Sequence, residues 1–97
     1  MKSLMTNPET ELSREVVIVN ELGLHARSAG KIAALADHSK TAVWIKKGSE
    51  KADASSILDI LTLACEKGSK IIISIENKAD GDILKAIAEL VENGFGE

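Results

Sequence analysis

Every segment of this chain with a helical repeat carries a single apolar stripe, and that one-sidedness restricts the packing more than any other feature. Ala29, Ile32, Ala33 and Ala36 recur at the 3.6-residue period, Ile57, Ile60, Leu61 and Ala64 repeat it in a shorter run, and Ile83, Ile87, Leu90 and Val91 form a third stripe. Strand-like stretches separate them. Val16 to Val19 is β-branched, Thr41 to Lys46 is followed by a Lys47-Gly48-Ser49 turn into Glu50 to Asp53, and Ile71, Ile73 and Ile75 alternate with Ile72 and Ser74. The order is βαββαβα, an α+β chain. A helix with one stripe needs one partner surface, so a four-stranded antiparallel sheet with three helices on one face buries all of them economically. Element order alone fits both an open-faced sandwich and a ferredoxin-like βαββαβ domain.

Punctuation sharpens the segments. Gly23 supplies a flexible lead into a helix over Ala26 to Asp37, and Ser56 heads a helix to Ala64 that Lys67-Gly68 stops. Asp59, three residues after Ser56, makes a near capping box. Asp80 is a good N-cap for the last helix, which Asn93-Gly94 ends. Met1 to Ser13 is polar, holds the only proline and has no period, so residues 1–13 are expected to be a flexible extension ahead of a domain over 14–97.

At 97 residues the chain is one domain with a modest core, so its chemistry is expected at the surface rather than in a deep cleft. A net charge of −3 with mixed signs argues against nucleic-acid binding. No apolar run approaches the roughly 20 residues of a membrane span, and no signal-peptide core is present, so a cytoplasmic protein is expected. The lone Cys65 excludes an intramolecular disulfide, gives no metal pattern and reads as a small buried side chain. His38, near the end of the first helix, reads as a favourable charge at the negative dipole terminus. Trp44 shares a strand face with Ala42 and Lys46, either half-buried or on an open sheet surface.

The run Leu22-Gly23-Leu24-His25-Ala26-Arg27-Ser28-Ala29 carries the chemistry. It sets His25 at or beside a helix N-cap, where the first N–H groups lack intrahelical partners and the dipoles present their positive end. An anion there meets the backbone of Ala26, Arg27 and Ser28. Neutral imidazole, with an ordinary pKa of about 6.5, is a nucleophile near pH 7, and Arg27 offers a fixed positive fork for a phosphoryl group. The bland reading is a histidine that merely caps its helix.

Gly23-Leu24-His25-Ala26-Arg27-x-Ala29 resembles the active-site signature of the histidine-containing phosphocarrier (HPr) family of the bacterial phosphotransferase system. Ala52-Asp53-Ala54-Ser55-Ser56-Ile57-Leu58-Asp59-Ile60-Leu61-Thr62-Leu63 resembles the family segment that holds a regulatory serine and the short second helix. The likeness runs from about Arg14 to the end. The ending Glu92-Asn93-Gly94-Phe95-Gly96-Glu97 and the run Asn20-Glu21-Leu22-Gly23 lean towards the nitrogen-related branch.

The resemblance implies an open-faced sandwich with sheet order 1-4-2-3. It also implies a carrier rather than an enzyme: His25 would accept a phosphoryl group through Nδ1 from phospho-enzyme I and pass it to an enzyme II A-type domain. Ser56 would be phosphorylated by a serine kinase in some lineages. Docking would use Ile57 and Leu58 beside Ala26, Arg27 and Gly30, with Arg27, Lys31 and Lys51 as electrostatic guides. The carrier, expected to be a monomer, would need no metal or cofactor of its own. One position departs from the pattern, Ser28 standing where the family usually has proline. Its first turn should be looser, and the serine restores an N–H and adds a hydroxyl that either meets the phosphate or bonds to the local backbone. Two other functions fit the same residues: a regulatory relative that acts by protein binding, and a ferredoxin-like domain that binds a small ligand.

Overall fold

A computed structural model describes residues 10–97. The elements are β1 (Ser13–Val17), α1 (Ala26–Ala36), β2 (Val43–Lys47), β3 (Glu50–Asp53), α2 (Ile57–Thr62), β4 (Lys70–Ile75) and α3 (Gly81–Glu92). The strands form one four-stranded sheet in the order β1-β4-β2-β3, with every neighbouring pair antiparallel. Open-faced sandwich order is therefore present, as expected.

The alternation of β4 explains the layering. Ile71, Ile73 and Ile75 point to one face and are buried with Val16 and Ile18, Val43 and Ile45, and Ala52 from the neighbouring strands. Ala29, Ile32 and Ala36 of α1, Ile60 of α2, and Leu84, Ile87, Ala88 and Val91 of α3 complete the same core. The opposite pleat carries Trp44 and Lys51, whose ammonium lies 4.4 Å from the indole ring centre. Trp44 is half-buried there and its Nε1–H donates to Glu76 Oε2 at 3.1 Å.

Several boundaries differ from the sequence reading, each for a local reason. The expected flexible extension lies largely outside the described residues. Of its end, Thr10 and Ser13 close a turn, and the Leu12 carbonyl accepts from Ile75 N–H at 2.9 Å, which lets β1 begin at Ser13. β2 starts only at Val43, because the Thr41 N–H and hydroxyl both donate to the Asp80 carboxylate. That carboxylate also accepts from Lys40 N–H at 2.8 Å, so Asp80 clasps the start of the β2 segment and makes no side-chain cap to α3. The helical turn Lys78–Asp80 is capped by Asn77 instead.

α2 is shorter than the expected Ser56 to Ala64. Ala64 adopts φ 52°, which ends the helix before Lys67-Gly68 is reached. Lys47 Nζ donates to the carbonyls of Leu63 and Ala64 at 3.0 Å each, placing a cation at the negative end of the helix. Leu63 therefore takes the buried place expected for Ala64. In α3 the buried row is centred on Leu84 and Ala88, with Ile83 and Leu90 only packed against its margin. Cys65 is buried as expected, and burial pushes its thiol pKa up.

The backbone and hydroxyl donors around Asp80 hold its carboxyl below the ordinary value of 3.8, the Lys40 N–H being the largest cause. This stabilisation is complete above the unfolded-state pKa and is lost as pH falls through the lower native value. Asp80→Asn should therefore lower the thermal midpoint at pH 7 and flatten the loss of stability as pH falls below about 4. Unchanged acid unfolding would show that the clasp contributes nothing.

Candidate functional site

The site begins with a close approach between two backbones. Gly23 has φ +65°, and a Cβ built there would lie 2.4 Å from the Cys65 carbonyl oxygen. Only glycine fits this turn without displacement. The next residue completes the junction, Leu24 N–H donating to the same Cys65 carbonyl at 2.9 Å while its side chain is buried. His25 follows in an extended conformation, φ −116° and ψ −178°, as the N-cap of α1.

His25 and Ser28 cap the helix reciprocally. Arg27 N–H donates to His25 Nδ1 at 3.3 Å, and His25 N–H donates to Ser28 Oγ at 3.0 Å. The Ser28 hydroxyl has two local acceptors, the Gly23 and His25 carbonyls, both at 3.2 Å. Ser28 is fully buried. Of the two roles open to this hydroxyl, local bonding prevails, and the side chain is not available to a phosphate. The first turn is correspondingly not loose: a capping box holds it in place of the ring constraint of proline. The N–H of Ala29 donates to the His25 carbonyl at 2.8 Å, so the helical hydrogen-bond ladder begins just after Ala26, Arg27 and Ser28.

The imidazole keeps about 25% of its side-chain surface exposed, and its other nitrogen meets a residue the sequence reading did not single out. Nε2 is 2.6 Å from Glu97 Oε2. Glu97 Oε1 accepts from Asn20 Nδ2 at 3.0 Å, and Nδ2 also donates to the Gly23 carbonyl at 2.9 Å. Phe95, buried at φ 61° between Gly94 and Gly96, anchors this returning segment, and Lys31 Nζ donates to the Phe95 carbonyl at 2.7 Å. An aromatic between two glycines just after a helix was the available signal. The hydrogen bond from His25, then that from Asn20, and more weakly the charge of Arg27, hold the Glu97 carboxyl below the usual carboxylate range.

Arg27 is exposed beside His25, as expected. Ile57 and Leu58 are 40% and 76% exposed, and Ile57 packs beside Gly30, its Cδ1 3.7 Å from where a Cβ on that glycine would sit. Leu22, at 69% exposure just before the Gly23 turn, adds an apolar side chain that sequence reasoning missed. Lys31 is on α1 but its ammonium serves the Phe95 carbonyl. Lys51 does not belong to this group. The pleat that buries Ala52 among the helices turns Lys51 to the other face of the sheet, against Trp44.

Ser56 caps α2, accepting from Asp59 N–H at 3.1 Å. The expected box is only half formed, because the Asp59 carboxylate accepts from Asp53 N–H, and Ser56 N–H donates to the Asp53 carbonyl instead. Among the described residues no group of three acidic, histidine or cysteine side chains could hold a metal ion, and no pocket is present. No helix among them is long and apolar enough to cross a membrane.

A family model described as the phosphorylation site of the HPr component of the phosphotransferase system matches residues 12–93. The chain belongs to the HPr family. It is 40% identical over 88 residues to the phosphocarrier protein NPr of Shewanella violacea, covering 91% of this chain and 97% of that one. It is 31% identical over 86 residues to the HPr of Neisseria meningitidis, covering 89% and 97%. Among solved structures, HPr-C-His from Thermoanaerobacter tengcongensis superposes with a TM-score of 0.82 at 32% identity, covering 88% of this chain and 96% of that one. Similarity thus extends to both HPr-named and NPr-named carriers, and this HPr-family chain has a phosphocarrier role in the phosphotransferase system rather than that of a catalyst in its own right.

Two substitutions test the local architecture. Gly23→Ala should lose on the order of 2–4 kcal/mol of unfolding free energy, since it combines a left-handed backbone with a clash against the Cys65 carbonyl. Ser28→Ala should lose about 1 kcal/mol by opening the capping box. Denaturant titration measures both, and a Gly23→Ala midpoint equal to that of the unsubstituted chain would contradict the close approach.

Proposed function

We propose that His25 is the phosphoryl-accepting residue of a carrier that is loaded by phosphorylated enzyme I and discharged to an enzyme II A-type domain, in the cytoplasm and as a monomer. The observation that supports this best is the orientation of the imidazole. Nδ1 lies against the Arg27 N–H at the start of α1, and the ring is partly open to solvent. An approaching phosphorus would take over the Nδ1 lone pair. Arg27 N–H, released from that nitrogen, can then donate to a phosphoryl oxygen together with the N–H groups of Ala26 and Ser28. In the transfer the Nδ1–P bond forms as the donor's bond to phosphorus breaks, its electron pair remaining on the donor. The guanidinium of Arg27 offsets part of the incoming charge of about −2. Neither contact encloses the group, which suits a carrier that must give it up again.

The exposed apolar side chains of Ile57 and Leu58 at the start of α2, with Leu22 exposed just before the Gly23 turn, are the docking surface for both partners, and their small extent suits transient encounters. Ser56 is the regulatory position. Its hydroxyl caps α2 two residues before Leu58, and a phosphate there adds charge beside the patch and beside Asp53 and Asp59, weakening docking to acidic partners. Residues 14–97 form the carrier domain, and 1–13 an extension to it.

Incubation with enzyme I and phosphoenolpyruvate should put acid-labile phosphate on the unsubstituted chain and none on His25→Ala. Arg27→Ala should slow loading by about tenfold, the loss of one charge-assisted contact, and Leu58→Glu should raise the KM for phospho-enzyme I with little change in stability. An unsubstituted chain that stays unphosphorylated with an active donor would overturn the proposal in favour of a regulatory relative that works by binding alone.

A further inference from the structure

The partners of the two ring nitrogens of His25 determine where its proton resides. A backbone N–H can only donate, so the Arg27 amide, 3.3 Å from Nδ1, requires a lone pair on that nitrogen. An ionised carboxylate can only accept, so Glu97 Oε2, 2.6 Å from Nε2, requires the proton there. Neutral imidazole protonated on Nε2 satisfies both neighbours. Imidazolium would set an Nδ1–H against the Arg27 N–H, and the other neutral tautomer would set lone pairs against Glu97.

Glu97 is itself held in register. Asn20 Nδ2 donates to both Glu97 Oε1 and the Gly23 carbonyl, so turning the amide over would oppose its oxygen to two acceptors. Asn20 is buried, and its Oδ1 has no partner among the described residues, a cost that this orientation accepts. Phe95 in the core and Lys31 on its carbonyl fix the backbone that carries Glu97. Glu97 is therefore held at its carboxylate by Asn20 and at its backbone by the Phe95 segment, neither of which touches the reacting nitrogen.

We propose that Glu97 is a positioning residue for phosphoryl transfer: it holds the His25 proton on Nε2, which leaves Nδ1 free to take up phosphorus and lets the ring depart neutral when the group moves on. This rests on the reading of His25 as the acceptor and deepens it. When the Nδ1 lone pair forms the N–P bond, the phosphorylated imidazole of the donor protein keeps the electron pair of the bond it loses. The His25 ring becomes an N-phosphoimidazolium, its positive charge shared with the Nε2–H that faces Glu97. On discharge the N–P bond breaks, the pair returns to Nδ1, and the ring leaves as neutral imidazole. Without the Nε2 proton it would have to leave as imidazolate, a far stronger base. In the loaded state the cationic ring lies between two anions, the phosphoryl group on the helix side and the carboxylate on the other.

The test uses the full chain labelled with 15N-histidine, at about pH 8.5 where free imidazole is neutral. Ring nitrogen shifts in the unsubstituted chain should report the Nε2–H tautomer as the main species. Glu97→Ala should raise the share of the Nδ1–H tautomer, against the restraint that the Arg27 N–H alone still applies. Glu97→Gln, of the same shape, offers its oxygen to Asn20 and its amide N–H to His25 Nε2, which should move the proton to Nδ1. Discharge of phosphorylated His25 to its acceptor should slow by about tenfold or more in both variants, while Glu97→Asp should recover part of the rate. A Glu97→Gln chain with the original tautomer, or with the original discharge rate, would overturn the inference. Failure of the unsubstituted chain to take up phosphate is a different result: it would sink the carrier reading, while the tautomer shifts would still decide whether Glu97 sets the ring.

Discussion

The contact on which the site depends is made by backbone alone. Gly23 lies so near the Cys65 carbonyl that no side chain fits, and Leu24 N–H completes the junction to the same oxygen. Further along, Ile18 exchanges hydrogen bonds with the 68–69 backbone, its N–H donating to Ser69 O and its carbonyl accepting from Gly68 N–H. These bonds join the segment leaving β1 to the segment between α2 and β4. The loop that presents His25 is thereby attached to the sheet at one end and to α1 at the other, and its imidazole is held at a helix start that is itself immobilised by the core.

Around that scaffold the neighbours of the ring are mixed rather than of one sign. The ring is flanked by a helix N-terminus and Arg27 on one nitrogen and by a carboxylate on the other. Donors alone on both sides would favour a trapped phosphate, and carboxylates alone would repel its arrival. Glu97 reaches the site from the far end of the described chain, so the balance depends on tertiary folding rather than on the sequence around His25.

The distribution of information in the sequence follows from the same physics. Periodicity within one element was sufficient for α1, whose buried apolar residues Ala29, Ile32, Ala33 and Ala36 are those of its stripe, and the alternation of β4 was equally direct. Ser56 and His25 were readable as caps because capping is a local exchange with the next turn. Long-range commitments were not readable. Asp80 looks like a helix cap but serves Lys40 and Thr41, Lys51 looks like a surface guide until the pleat assigns it to Trp44, and nothing near Glu97 announces His25 as its partner. The length of α2 was misjudged because Ala64 enters a left-handed conformation that its residue type does not advertise.

Serine at position 28 carries a consequence for the unfolded chain. A proline constrains its own φ in every state of the polymer, so part of the order of the turn exists before folding begins. The buried hydroxyl reaches the Gly23 and His25 carbonyls only once the loop has closed, so all of its restraint is acquired during folding. Unlike the covalent restraint of a proline ring, this one is cooperative and melts together with its surroundings.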